Sequence, residues 1–261
     1  MLSQRDLNEL DVVIKKLVPS TSLSSSSSAA DAADAAAAAA AADAKFAKVT
    51  KKDVPLAGLG VVLERIQKEV LEGDGFVLVK GLPVDRYSVK EAAAAYWAIG
   101  CHLGLPTPQN GKGHLLGHVK DLGHDLKLPT TRIYATNASQ PFHIDLCDVV
   151  GLLCLKTAKR GGESIIASSI TVYNELLRLR PDLAELLSRP VYHDRKGEVP
   201  AGKQPYYAMP VFNFHEVPGN KKGEKEMSVF LSPDFVRTTE RFDELPKHTT
   251  ALKEAMKLMV S

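Results

Sequence analysis

The segment Pro-Phe-His-Ile-Asp at positions 141–145 places an imidazole and a carboxylate two residues apart. Side chains alternate between the faces of an extended segment, so His143 and Asp145 point the same way there. An imidazole nitrogen and a carboxylate oxygen directed at one point are two of the three ligands in the two-histidine, one-carboxylate site of non-haem Fe(II). That site leaves positions open for a co-substrate and dioxygen. The pair therefore predicts an iron site, which a second histidine further along the chain should complete.

The same pair also has a purely structural interpretation, since His-X-Asp occurs often by chance and a half-buried histidine can simply bond a neighbouring carboxylate. The other histidines give weak alternatives for a metal site. His114 and His118 would share one face of a helix, but the surrounding glycines oppose a helix there. His215 is the best substitute for a third ligand, although its position before a loop favours an exposed side chain.

Composition narrows the class of protein. A chain of 261 residues with 44% hydrophobic residues can bury a sizeable core. The formal net charge of +2, without basic blocks, argues against nucleic acid as a partner. Three cysteines without a CxxC spacing argue against a disulfide framework, and the longest apolar run, Ala35–Ala42, is too short for a bilayer. These features predict a cytoplasmic protein that does not insert into membranes.

Three regions follow from the patterning of the chain. Residues 1–18 carry leucine, valine and isoleucine at helical spacing, which predicts an amphipathic helix. Residues 19–47 are rich in serine and alanine and predict a flexible linker, with an alanine-rich helix as the competing interpretation. Residues 48–261 then form the predicted folded domain.

Helix signals occur at several places in that domain. An apolar face from Leu59 to Val70 predicts a helix that ends at Gly73. Ser88 and Glu91 form a capping-box pattern that should open a second helix. Pro181 suits a helix start, and the residues from 252 to 259 repeat with helical spacing.

Strand signals are frequent from residue 132 onward. Short apolar segments predict strands at 76–79, 133–136, 149–156, 164–167, 206–212 and 227–231. The turn residues at 159–162 predict a hairpin between two of these segments. Short strands interrupted by helices, with metal ligands at a strand end, favour an α+β fold with a mainly β core. The predicted fold is an incomplete double-stranded β-helix, a cupin-like jelly roll with flanking helices.

From about Gly75 to Phe242 the sequence resembles the TauD/TfdA family of Fe(II)- and 2-oxoglutarate-dependent dioxygenases, which have the clavaminate-synthase-like fold. The segments that carry the resemblance are GFVLVKGLPV at 75–84, PQN at 108–110, LGHV at 116–119, TNA at 136–138, PFHID at 141–145, DVVGLLCL at 148–155 and GGES at 161–164. A His-X-Asp that is followed by an apolar segment, a Gly-Gly turn and a hydroxyl residue is far more specific than the pair by itself.

The resemblance implies roles for four residues. His143 and Asp145 would bind Fe(2+), while the Ser164 hydroxyl and Asn137 would help to hold 2-oxoglutarate as co-substrate. The implied reaction is hydroxylation or desaturation of a small-molecule substrate by dioxygen. Neither nucleic acid nor a membrane is an expected partner.

The family's second metal histidine and the arginine after it are not recognisable near residue 261. Arg237 and Arg241 both precede His248, which reverses the expected order. The sequence therefore predicts a C-terminally truncated member of the family. The alternative is a non-catalytic remnant of the fold that acts as a binding or interaction module, and a cupin-type metal hydrolase is a more distant third hypothesis.

Overall fold

The computed structural model of the protein describes residues 1–19, 46–216 and 223–260. They divide between two compact units, the first drawn from 1–117 and 147–159 and the second from 118–146 and 160–261. Nearly all of the predicted linker at 19–47 lies outside the described residues. No helix in the described part of the chain is both long and apolar enough to cross a membrane.

Helices and short strands make up the regular structure. The helices are α1 Gln4–Leu17, α2 Ala57–Glu72, α3 Val89–Leu103, α4 Ser169–Leu179, α5 Pro181–Leu187, α6 Pro233–Arg237 and α7 Thr250–Leu258, with 3₁₀ turns at Val84–Arg86, Ile133–Ala135 and Thr238–Arg241. The strands are β1 Val191–Asp194, β2 Tyr206–Met209, β3 Phe212–Glu216 and β4 Lys225–Val229. β1 pairs with β2 and β3 with β4, both antiparallel.

The first unit packs α1, α2 and α3 around one apolar core. The capping box that the sequence predicts at Ser88 begins α3. The structure shows a second capping box, formed by Ser3 and Asp6, at the start of α1. The α2 helix has no local side-chain cap, and instead a carboxylate oxygen of Glu9 accepts the N–H groups of Gly58 and Leu59 at 2.9 and 3.1 Å. This contact satisfies donors that a helix start leaves free and places negative charge at its positive end.

The second unit buries a separate core between its helices and its sheets. Leu183 and Leu187 of α5 meet Phe212 of β3 and Met259, which follows α7. The helix start at Pro181 lies where the sequence predicts it, and the strands at 206–209 and 225–229 overlap the strands predicted at 206–212 and 227–231. The part of the chain that carries the histidine and carboxylate pair, residues 118–146, belongs to this unit.

The described residues combine helices with two small antiparallel sheets and do not form a complete double-stranded β-helix, so the predicted mainly β core is not seen in them. Residues 76–79, 149–156 and 164–167 contain no strand, and a 3₁₀ turn stands where 133–136 predicts one. A strand needs a neighbour for its N–H and C=O groups, and no ladder forms at these segments. Their side chains are exposed as a result, Leu152 and Ile165 by 74% and 72%.

Buried charges connect β1 to the segment around α6. The fully buried Asp194 carboxylate accepts two hydrogen bonds from Arg241, at 2.9 and 3.1 Å, and one from the Lys196 amide at 2.8 Å. Lys196 adopts a left-handed backbone conformation with φ of 54°. Its ammonium is almost fully buried and pairs with the Asp234 carboxylate, and burial lowers the pKa of Lys196 despite that partner. The network fixes the β1–β2 loop against α6.

Replacing Arg241 should destabilise the second unit more than replacing an exposed arginine. In Arg241→Met the buried Asp194 carboxylate loses its ion-pair partner, and we expect the free energy of unfolding to fall by about 2–4 kcal/mol. Urea titration followed by circular dichroism measures the change. Arg189→Met is the matched control, because Arg189 pairs with Glu185 on an exposed helix surface, where a loss of less than about 0.5 kcal/mol is expected. Equal losses in the two variants would contradict the prediction.

The second unit should lose stability in mild acid because of His193 in β1. Burial lowers the pKa of this nearly inaccessible imidazole. The unfolded chain then binds a proton near pH ~6.5 that the folded unit does not, so stability is complete above that pH and falls below it. The limit is about 1.4 kcal/mol per pH unit. Urea midpoints at about pH 7 and about pH 5.5 should differ less in His193→Gln. His118→Gln, which removes an exposed imidazole, is the control, and an unchanged slope in His193→Gln would refute the prediction.

Candidate functional site

The segment that carries His143 and Asp145 is anchored through the residue between them. The Ile144 amide donates to the Leu231 carbonyl at 2.8 Å, and the Ile144 side chain packs against the second core. Adjacent side chains in such a segment point to opposite sides, so holding Ile144 inward turns its neighbours outward. The side chains of His143 and Asp145 are accordingly 34% and 57% exposed.

The hydrogen bonds of His143 fix its tautomer. Nδ1 lies 2.9 Å from the Pro141 carbonyl oxygen, which can only accept, so Nδ1 carries the hydrogen. Nε2 accepts from the Gln140 side-chain amide at 3.0 Å and lies 4.0 Å from Asp145 Oδ1. Metal-ligating histidines characteristically donate the other ring N–H to a backbone carbonyl or carboxylate. The tautomer of His143 is therefore the one that ligation through Nε2 would require.

The distance between the two candidate ligands is close to that of a chelating pair. His143 Nε2 lies 4.0 Å from Asp145 Oδ1. Two donors at about 2.1 Å from one metal and at right angles would be about 3 Å apart. A side-chain rotation of the exposed Asp145 can close that difference. The structure therefore places the predicted pair close together, while its role as two of the three ligands of an Fe(II) site stays a prediction.

A third ligand is not beside them within the described residues, where no group of three histidine, cysteine, aspartate or glutamate side chains could hold a metal ion. His215, the predicted substitute, lies exposed on β3 opposite Glu226 of β4. His248 contacts Thr239 and Glu240 instead. The residues at hand consequently fit Fe(II) as a partial ligand set.

The two residues predicted to hold 2-oxoglutarate lie on irregular segments. Asn137 follows the 3₁₀ turn at Ile133–Ala135, and Ser164 follows the Gly-Gly turn at 161–162. Both side chains are exposed. Within the described residues no hydrogen bond joins either of them to His143 or Asp145, so the roles of Asn137 and Ser164 remain predictions.

Gln140 is a site residue that sequence patterning does not identify. A glutamine three residues before a histidine has no distinctive signal, and only the turn of the backbone at 140–143 brings its amide to the imidazole. The same stretch borders a cavity of about 620 Å³, since Ala138, Ser139 and Pro141 form part of its wall. The segment before the candidate ligands thus contacts both the imidazole and this cavity.

Comparison with known proteins places these features in context. The model of the family "Taurine catabolism dioxygenase TauD, TfdA family" matches residues 42–260. The FR-33289 synthase of Streptomyces rubellomurinus (strain ATCC 31215) is 36% identical over 166 residues, which cover 63% of this chain and 49% of the relative. The taurine hydroxylase-like protein SAT17 of Stachybotrys chartarum is 31% identical over 139 residues, 51% of this chain and 36% of that protein.

A third relative, the uridine-5'-phosphate dioxygenase of Amycolatopsis sp, is 29% identical over 143 residues, which is 50% of each chain. The chain spans about half the length of the curated relatives it matches, or less. The matches carry names of a synthase, a hydroxylase-like protein and a dioxygenase.

Removing the Gln140 amide should strengthen metal binding at His143. A metal must displace the Gln140 N–H from the Nε2 lone pair, and one such hydrogen bond contributes about 0.5–1.5 kcal/mol. We therefore expect Gln140→Ala to bind Co(II) about two- to tenfold more tightly in an anaerobic calorimetric titration. Gln109→Ala, which removes an exposed amide bonded to the Thr107 carbonyl, should bind as the unmodified chain does. Weaker binding by Gln140→Ala would show that the amide orients the imidazole for the metal.

Proposed function

Because the chain belongs to the TauD/TfdA family, we propose that it carries part of the active site of an Fe(II)- and 2-oxoglutarate-dependent dioxygenase. The reaction that we propose is hydroxylation or desaturation of a small organic substrate. The single observation that supports this most strongly is the tautomer of His143. Its Nδ1–H donates to the Pro141 carbonyl, and its Nε2 lies 4.0 Å from Asp145 Oδ1.

In this proposal His143 Nε2 and Asp145 Oδ1 hold the metal. Bound Fe(II), together with 2-oxoglutarate and dioxygen, would supply the oxidising power to break an aliphatic C–H bond. The Pro141 carbonyl keeps the imidazole in its ligating tautomer, and the Ile144 anchor keeps both ligands on the outer side of the segment. The Ser164 hydroxyl and the Asn137 amide, both exposed, are the proposed contacts for the carboxylate of the co-substrate.

The proposal extends to the fold of the catalytic domain. We assign residues 48–261 to one domain of the jelly-roll type that the family implies, in which the segments 149–156 and 164–167, irregular in this structure, would pair as strands. The apolar side chains of these segments, such as Val150, Leu152 and Ile165, are exposed. Apolar runs of this kind are suited to a strand whose side chains are buried on one or both faces of a sheet.

Metal binding and co-substrate turnover test this function. Under anaerobic conditions the 261-residue chain should bind Co(II) as a spectroscopic substitute for Fe(II). With Fe(II), 2-oxoglutarate and air it should release succinate above a metal-free blank. His143→Ala and Asp145→Ala should each weaken Co(II) binding at least about tenfold, because each removes a direct ligand. His118→Ala, which removes an exposed imidazole outside the pair, is the control and should retain both properties.

A second candidate function is a non-catalytic remnant of the fold that serves as a binding module. The observation in its favour is that the described residues bring together two metal ligands and no third. The same experiment separates the two functions. Absence of both Co(II) binding and succinate formation would remove the dioxygenase proposal and leave the binding module.

A further inference from the structure

A cavity in the second unit has the size and the boundaries of a ligand site. It encloses about 620 Å³ between the loop at 126–141, helix α6, the 3₁₀ turn that follows α6, and helix α7. Sites for small organic molecules in proteins are typically about 300–1,000 Å³. All of these boundaries belong to one compact unit.

The walls of the cavity are aliphatic. Leu128 and Ile133 line the loop side, and Val236, Leu252 and Met256 line the helix side. Leu128 is 58% exposed, so apolar surface remains open at the mouth for a ligand to cover. No phenylalanine, tyrosine or tryptophan lines the cavity, and the imidazole of His248 is the one aromatic ring among its described lining residues. The aliphatic side chains that make up most of this wall surface therefore suit a flexible aliphatic body.

The charges around the cavity are unequal. Four cations border it (Lys196, Arg237, Lys253 and Lys257) together with two carboxylates, Asp234 and Glu240. Asp234 pairs with both Lys196 and Arg237, and Glu240 pairs with Lys253 at 2.9 Å. Lys257 is exposed on α7 and takes part in no ion pair among the described residues. Two positive charges are thus left without a carboxylate of their own, which favours an anionic head group.

His248 also borders the cavity but does not change its balance of charge. Its Nε2 lies 2.9 Å from the Thr239 hydroxyl and its Nδ1 3.5 Å from Glu240. Burial lowers the pKa of His248, so the imidazole is neutral at pH ~7. The neutral imidazole is a polar group at the cavity wall, and the excess of positive charge there comes from the lysine and arginine side chains.

We propose that this cavity binds an aliphatic anion, with its chain against α6 and α7 and its anionic head at Lys257. The identification of this ligand as the organic substrate rests on the proposed function. Ala138, Ser139 and Pro141 form one wall, and the residue among them, Gln140, bonds His143. A ligand in the cavity therefore touches the segment that holds the candidate metal ligand.

Calorimetric titration of the metal-free chain with octanoate, octanamide and octylamine tests the site independently of iron. Octanoate should bind most tightly, octanamide less and octylamine least, and the preference for octanoate should diminish with added salt. Lys257→Glu should weaken octanoate binding about tenfold and improve octylamine binding, since one rim charge is reversed. Lys203→Glu makes the same change of net charge at an exposed lysine outside the cavity and should bind as the unmodified chain does.

A second variant tests the cavity itself. Ser139 is exposed at its wall, so Ser139→Trp should fold normally and obstruct binding of both octanoate and octanamide. Equal affinity for the three ligands, equal effects of Lys257→Glu and Lys203→Glu, or full binding by Ser139→Trp would each overturn the proposal. Co(II) binding without octanoate binding would remove this inference alone, whereas octanoate binding without Co(II) binding would remove the dioxygenase function and keep the cavity.

Discussion

The hydrogen bond from the Ile144 amide to the Leu231 carbonyl is the contact on which the candidate site depends. It fixes the segment to Leu231, two residues after the end of β4, and the Ile144 side chain packs against the second core. With that residue held inward, the alternation of a short segment turns His143 and Asp145 outward together. The two ligands are 4.0 Å apart, so their arrangement follows from the core contact and not from a bond between them. The packing of Ile144 against the core therefore determines the direction of the His143 and Asp145 side chains.

Backbone pairing explains which parts of the chain become regular. The helices satisfy most of their N–H and C=O groups internally. The free N–H groups at the start of α2 donate to the side chain of Glu9, some 50 residues away in the chain. The segments at 206–209 and 225–229 find neighbours at 191–194 and 212–216 and become strands. Residues 149–156 have the composition of a strand without a neighbour in the described chain, and they stay irregular. A segment with strand propensity thus becomes a strand only where a neighbouring segment completes its backbone hydrogen bonds.

In the second unit the deeply buried charges are paired, whereas Lys257 at the cavity has no ion pair among the described residues. Asp194 and Lys196 are inaccessible and each has a charged partner, Arg241 and Asp234 respectively. An unpaired charge there would be strongly destabilising. The exposed Lys257 ammonium at the rim stays hydrated, so its lack of an ion pair among the described residues does not destabilise the fold. It is therefore accessible to an anionic ligand. The loop at 126–141 connects this cavity to the candidate metal ligands, because its residues line the one and bond the other.

The sequence by itself determined the features that depend on neighbours along the chain: the capping box at Ser88, the helix start at Pro181, and the outward pairing of His143 with Asp145. These follow from helical and extended periodicity and from local hydrogen bonds, which involve residues two to four apart. Only the tertiary structure decided which apolar segments become strands, that Gln140 covers the Nε2 of His143, and that Asp194 meets Arg241. The physical reason is that these contacts depend on how the backbone turns in space and, for the strands and the buried ion pair, on partners far away in the chain. Residue types and spacing do not specify such partners.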